Sequence, residues 1–211
     1  MAGNPGRSVA FIVSAWLLLA TAAASCTRPS PSGDLLAIPS TGGLDQRRID
    51  AAIRAEVNYA RCRKGLAPLE ASVAMMQVAS GHAKWMARSR QLTHASTVAG
   101  RASTRARIRA TGIPFRAGSE NIGLVARYRI DGRSFRIRDA KTCQFADGSG
   151  QTIPAHSYAS LASYVVELWM NSRSHRKNIL DGRVRWMGSG AALDPRGPHC
   201  GSYYLAQIFA G

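Results

Sequence analysis

Three separated segments carry side chains that could act together. His94 stands in Leu92-Thr93-His94, Glu120 in Ser119-Glu120-Asn121-Ile122, and His175 in Ser174-His175-Arg176-Lys177-Asn178. Two neutral imidazoles are good ligands for a divalent metal such as zinc, and a nearby carboxylate can bind the ion or orient a water. Without metal, the same trio makes a hydrogen-bonded knot in which Glu120 accepts from backbone and imidazole groups. Spacing alone leaves both readings open. The chain has neither a G-x-S-x-G elbow nor H-E-x-x-H. Residues 174–177 fit S-x-x-K, but the partner motifs are missing. A serine such as Ser96 or Ser172 would have to lie within hydrogen-bond reach of a histidine to act as a nucleophile, and no motif places it there. His82 reads as a helix-surface residue, and His156 and His199 as loop residues.

The elements that must position these groups follow from local signals. Asp45 caps a predicted helix over 45–64, with Ile49, Ile53, Val57 and Ala60 at helical spacing and Gly65 as its stop. A second helix is predicted over 70–90, faced by Val73, Met76, Ser80, Ala83 and Ala87. Met75, Met76 and Met86 read as core packing rather than ligands. His94 comes just after it. Ser103 caps a short helix over 103–110, ended by Gly112, and Ile113-Pro114 cannot continue it. Glu120 then falls in a glycine-flanked turn. Residues 127–153 read as a hairpin or excursion bearing Cys143, with turn signals at Asp131-Gly132, Asp147-Gly148 and Gly150. Ser157 caps a helix striped by Leu161, Tyr164, Val165, Leu168 and Trp169. A loop carries His175, and strands are predicted over 184–193 and 203–209. Helices and strands without regular alternation indicate an α+β fold, with helices covering a small antiparallel sheet.

The ends bound the compartment. Arg7 precedes an apolar run over 9–24, shorter than the ~18 residues of a spanning helix. Ala22, Ala23, Ala24 and Ser25 then lead to Cys26. This resembles a bacterial lipoprotein signal in which Cys26 is lipidated and anchors the chain to a membrane; ordinary cleavage near Ala24 or a retained anchor are the alternatives. Residues 27–43 are rich in Pro, Ser, Thr and Gly and read as a tether. The expected organisation is a signal at 1–26, a linker at 27–43 and one domain at 44–211. The protein is expected to be exported and to reside in the periplasm, on the membrane or outside the cell.

Net charge is +16, concentrated in arginines 101, 105, 107, 109 and 116 and arginines 127, 129, 133, 136 and 138. Most of this reads as a solvated face, one that attracts polyanions through screened fields. Export argues against nucleic acid and leaves anionic lipid or an envelope polymer as the expected partner of a monomer. Cys143 and Cys200 lie in turn-rich segments and are expected to pair, a link worth about 2–4 kcal/mol. Cys62 is expected to be a buried free thiol.

Several motifs fall in a familiar order. They are Asn58-Tyr59-Ala60-Arg61 leading to Gly65-Leu66-Ala67-Pro68-Leu69, then His94, then Glu120-Asn121-Ile122. Trp169-Met170-Asn171-Ser172 with His175-Arg176-Lys177-Asn178-Ile179-Leu180 follows, then Gly188, Gly190 and the closing strand from Tyr204. Together they resemble the CAP superfamily (cysteine-rich secretory, antigen 5 and pathogenesis-related 1 proteins), on its bacterial SCP-like branch. The resemblance implies a three-layer α-β-α sandwich with a central antiparallel sheet and a cleft where two His and two Glu converge. His94, Glu120 and His175 fill three of those places. Ser172 stands near the fourth, and Glu167 lies on the apolar helix instead. By the same resemblance the paired histidines, with Glu120, would take a divalent metal (Zn). The function implied is an envelope module binding a lipid or anionic component; the alternative is a metal-dependent, protease-like hydrolase using His94, His175 and Glu120.

Overall fold

The computed structural model describes Met1 and residues 26–29, 37–39 and 43–211. Nearly all of the export signal and much of the linker lie outside the described residues. Among the described residues, five helices and six strands run in the order α1 (Gln46–Cys62), β1 (Glu70–Ala71), α2 (Val73–Ser89), α3 (Thr104–Arg109), β2 (Gly118–Ala126), β3 (Arg136–Asp139), β4 (Gln144–Ala146), α4 (Tyr158–Asn171), α5 (Arg173–Ile179), β5 (Trp186–Asp194) and β6 (Ser202–Ala210). The caps are local chemistry. Asp45 accepts from the amides of Arg47 and Arg48, Ser103 from Ala106, and Ser157 closes a reciprocal capping box with Ser160.

The sheet has the order β1-β5-β6-β2. β5–β6 and β6–β2 are antiparallel; the two-residue β1 runs parallel to β5, so the sheet is mixed rather than wholly antiparallel. Every residue of β6 is buried. Its odd positions, Tyr203, Leu205 and Phe209, join the core formed with α1, α4 and α5. Its even positions, Tyr204, Ala206, Ile208 and Ala210, join the core formed with α2 and α3. Strand pleating thus divides one apolar run between two helical layers. α2 packs on bare backbone: a Cβ on Gly188 would stand 2.2 Å from the Met76 amide nitrogen, and one on Gly190 2.4 Å from Ser80 Cα.

Three expectations change. His175 sits on helix α5, not in a loop, and Glu120 on strand β2, not in a turn. The strand escaped notice because its outward polar residues are used by neighbouring helices rather than by water. The excursion does form a hairpin, β3 against β4, packed around Ile130, Phe145 and Ile153. Cys143 is bonded to Cys200, which ties that hairpin to the entry of β6.

The third change concerns the N-terminal cysteine. Cys26 forms a disulfide with Cys62. Its sulfur is therefore not available for thioether acylation, and Cys62 is not a free thiol. Nor does the described part of 27–43 stand off the domain. Arg28 donates to Ser163 Oγ at 3.2 Å, Ala37 bridges Ser157, and Ile38 is 3% exposed within the core.

Candidate functional site

β2 is an edge strand, and its pleat sends Glu120 toward α2 and α3 and Asn121 toward α5. Glu120 is the centre. Its side chain is fully buried, and both oxygens are engaged. Arg107 donates from Nε to Oε2 at 2.8 Å and from Nη2 to Oε1 at 2.6 Å. Oε1 also meets His94 Nδ1 at 2.8 Å and accepts from Thr104 Oγ1 at 3.2 Å. Burial alone would raise the Glu120 pKa; the His94 and Arg107 hydrogen bonds outweigh it and hold the carboxyl below its ordinary value. Since an ionised carboxylate only accepts, His94 Nδ1 is the donor. In the neutral imidazole that leaves Nε2 with its lone pair free. The His94 side chain is 52% exposed.

Arg107 does more than neutralise the acid. Its Nη1 donates to the Arg101 carbonyl at 2.9 Å, and Nη2 to the His94 carbonyl at 2.6 Å. It therefore clips both ends of the loop bearing His94. His82, 3% exposed on α2, supports the same loop through Nε2 and the Thr93 carbonyl at 2.9 Å, and lies 3.9 Å from Glu120. Burial pushes its pKa down, the Glu120 charge opposes this, and Arg107 adds to it. The expected surface position of His82 is thus overturned. Neither Arg107 nor His82 was singled out from sequence. Both had a signal. Thr104, Arg107, Ile108 and Thr111 share one helical face, as do Met75, Val78, Ala79, His82, Ala83 and Met86.

On the other side of the strand, Asn121 donates from Nδ2 to the His175 carbonyl at 3.3 Å and to Gln207 Oε1 at 3.1 Å, and accepts from Asn178 at 2.8 Å. Asn178 also reaches the Glu120 carbonyl at 3.3 Å. This seats α5 and so His175. Burial lowers the His175 pKa, and the nearby His94 lowers it further. His94 is thus joined to Glu120 directly, while the His175 ring makes no hydrogen bond or ion pair to that acid. No group of three His, Cys, Asp or Glu among the described residues could hold a metal ion. With Glu120 fully buried in its ion pair with Arg107, the expected ligand set His94, His175 and Glu120 does not fit. What remains is a pair of imidazoles, with Glu120 orienting His94.

No second carboxylate joins them. Glu167 lines grooves on the outer side of α4 with Ser163. Ser96 Oγ bonds the Arg101 carbonyl, and Ser172 Oγ meets Ser174 Oγ. The His–Ser contact elsewhere, His156 Nδ1 to Ser160 Oγ at 2.9 Å, belongs to the α4 capping box, and His156 is buried.

Residues 54–209 match the family model described as CAP: Cysteine-rich secretory protein family. An extracellular protein containing a SCP domain from Bacillus anthracis is 20% identical, with a TM-score of 0.52 over 81% of this chain and 45% of that one. This chain thus spans under half of that protein. An outer surface protein of Borrelia burgdorferi is 15% identical, with a TM-score of 0.53 over 80% of this chain and 97% of that one. At such identities the likeness shows the fold alone. No curated protein matches the chain.

Proposed function

This chain belongs to the cysteine-rich secretory protein family, and on that premise we propose that it is an exported, non-catalytic binding domain for a lipid or anionic component of the cell envelope. One observation carries the reading: Glu120, the carboxylate beside His94, is fully buried and takes four hydrogen bonds from Arg107, His94 and Thr104. A general base needs a free lone pair within reach of the proton it takes, and a metal-ligating carboxylate needs one toward the ion. Oε2 takes a single bond, but the side chain is fully buried, so its remaining lone pair is shut off from solvent. The acid therefore serves as the post on which the His94 loop is hung. Export is supported by two disulfides, which persist in oxidising compartments, and by the apolar run after Arg7. Zinc remains a candidate only as a weak, open ligand of His94 and His175, two imidazoles where catalytic sites use three protein ligands.

The test combines two assays on the purified, oxidised protein. Casein cleavage is measured with and without zinc, and retention is measured on anionic phosphatidylglycerol vesicles and on linear polyphosphate. The expected result is no cleavage and retention on at least one anionic probe. Zinc-dependent cleavage that disappears in H94A/H175A would transfer the cleft to the hydrolase reading. Loss of retention on both probes would remove the binding reading.

A further inference from the structure

The His175 helix has a second face. Asn178 and Ile179 point inward, the first to β2 and the second into the core. Arg173, Arg176, Lys177 and Leu180 recur at i, i+3, i+4 and i+7 and so share the opposite side. They open, with Asp181, Gly182 and Arg183, onto a groove of about 460 Å³. The groove contains four cations and one acid. That acid is spent locally: Asp181 takes Nε and Nη2 of Arg183 at 2.9 and 2.7 Å and its amide at 2.9 Å. Arg176 donates to the Met170 carbonyl. None of Arg173, Arg176 and Lys177 has a carboxylate partner among the described residues, and Arg173 and Lys177 are exposed.

We propose that this groove is the docking surface for a linear phosphate-bearing polymer, which lies along α5 with its phosphates on Arg173, Arg176 and Lys177. The inference deepens the binding reading above and is independent of the imidazole cleft. Charge complementarity selects an anion: guanidinium forks match phosphate oxygens, and lysine adds a compact charge. The lack of an apolar anchor selects a chain over a bilayer, because interfacial docking inserts exposed apolar side chains. The exposed large hydrophobics of the described residues are Met1, Val73, Leu92, Val98, Leu124, Ile137 and Leu168, and none falls within 173–183.

The probe is end-labelled linear inorganic polyphosphate, followed by fluorescence anisotropy at several salt concentrations. R173E/R176E/K177E is compared with R133E/R136E/R138E, which changes net charge equally on the hairpin excursion. Three phosphate contacts at the single-strand coefficient of about 0.7 each give a log–log salt slope near −2, or an affinity loss of roughly 15-fold over a fourfold rise in salt. The α5 triple variant should lose that slope component and bind at least about tenfold more weakly, while the excursion variant keeps most of both. Circular dichroism and melting confirm folding, and R173Q/K177Q repeats the test without charge reversal. Equal weakening in both triple variants would show diffuse attraction and overturn the groove. Retention on phosphatidylglycerol vesicles but not on polyphosphate would overturn the polymer and leave the binding module standing. Failure on both probes would remove the binding reading as well.

Discussion

Replacing Arg107 by Met tests whether Glu120 is a structural post. The guanidinium is 1% exposed and makes four hydrogen bonds, two to Glu120 and two to the loop carbonyls of Arg101 and His94. Methionine fills much of the same space but leaves a buried carboxylate held only by His94 and Thr104. Removing one member of a buried pair typically costs about 3–5 kcal/mol. In a domain of this size that lowers Tm by at least about 6 °C. The cost should depend on pH. In the native protein the Glu120 carboxyl is held below its ordinary 4.5, so the pair stabilises above that pH and loses its effect as the carboxyl protonates. In R107M, burial is opposed chiefly by His94, the folded carboxyl takes up its proton above 4.5, and the penalty fades as pH falls through the acid range. Chemical denaturation at pH 7 and pH 4, with E120Q and the double variant, closes the cycle. R107M/E120Q should lose less than the sum of the singles. A loss under about 1 kcal/mol, equal at both pH values, or strict additivity would refute the idea that the pair holds the site.

Four further outcomes follow from the same geometry. Burial and the Arg129 charge push His156 down to about 4, below its ordinary 6.5, so the unfolded chain binds its proton first. Stability should therefore fall between pH 6.5 and about 4, by an amount near 3 kcal/mol, and H156Q should flatten that part of the pH–stability curve. Intact-mass analysis of the exported, non-reduced protein should show two disulfides and no acyl adduct; a diacylglyceryl mass on Cys26 would contradict its bond to Cys62. Gly188→Ala would drive a Cβ into α2 backbone at Met75 and Met76. It should cost about 1–3 kcal/mol or more in melting experiments, with hydrogen exchange quickened first in α2. Asn121→Ala should strand Gln207 Oε1 and leave Asn178 only its bond to the Glu120 carbonyl, cost about 1–3 kcal/mol, and shift the His175 imidazole resonances while leaving those of His94 in place.

The parts of the fold that were readable were those fixed over one or two turns of chain. Asp45, Ser103 and Ser157 each cap the helix they precede, because a short oxygen-bearing side chain answers an amide two or three residues on. The apolar stripe of Ile49, Ile53 and Val57 is likewise the buried face of α1. Arg107 was lost among its neighbours because an arginine in a basic cluster reads as solvated. Its place on the Ile108 face, and not its residue type, marks it as buried. His82 is hidden for a related reason: the stripe that begins at Val73 lies one step around α2 from it, and Val73 is 62% exposed. β2 carries no alternating signal because residues 120–122 are buried in succession, Glu120 in its ion pair and Asn121 in its amide network. The Cys26–Cys62 bond joins segments 36 residues apart and has no local signature at all.

The same edge strand explains why two imidazoles so distant in sequence lie near each other. Adjacent residues of a strand point to opposite faces, so Glu120 and Asn121 cannot serve the same helical layer. Glu120 anchors the loop after α2 through His94 and Arg107, and Asn121 anchors α5 through Asn178 and the His175 carbonyl. One peptide unit thus sets the positions of both histidine-bearing segments, each by its own polar network. Motion of β2 carries both together, whereas a defect in one network moves one imidazole against the other. The arrangement leaves the His94 side chain 52% exposed while its partner acid stays fully buried, so the imidazole and not the carboxylate is the group presented to solvent.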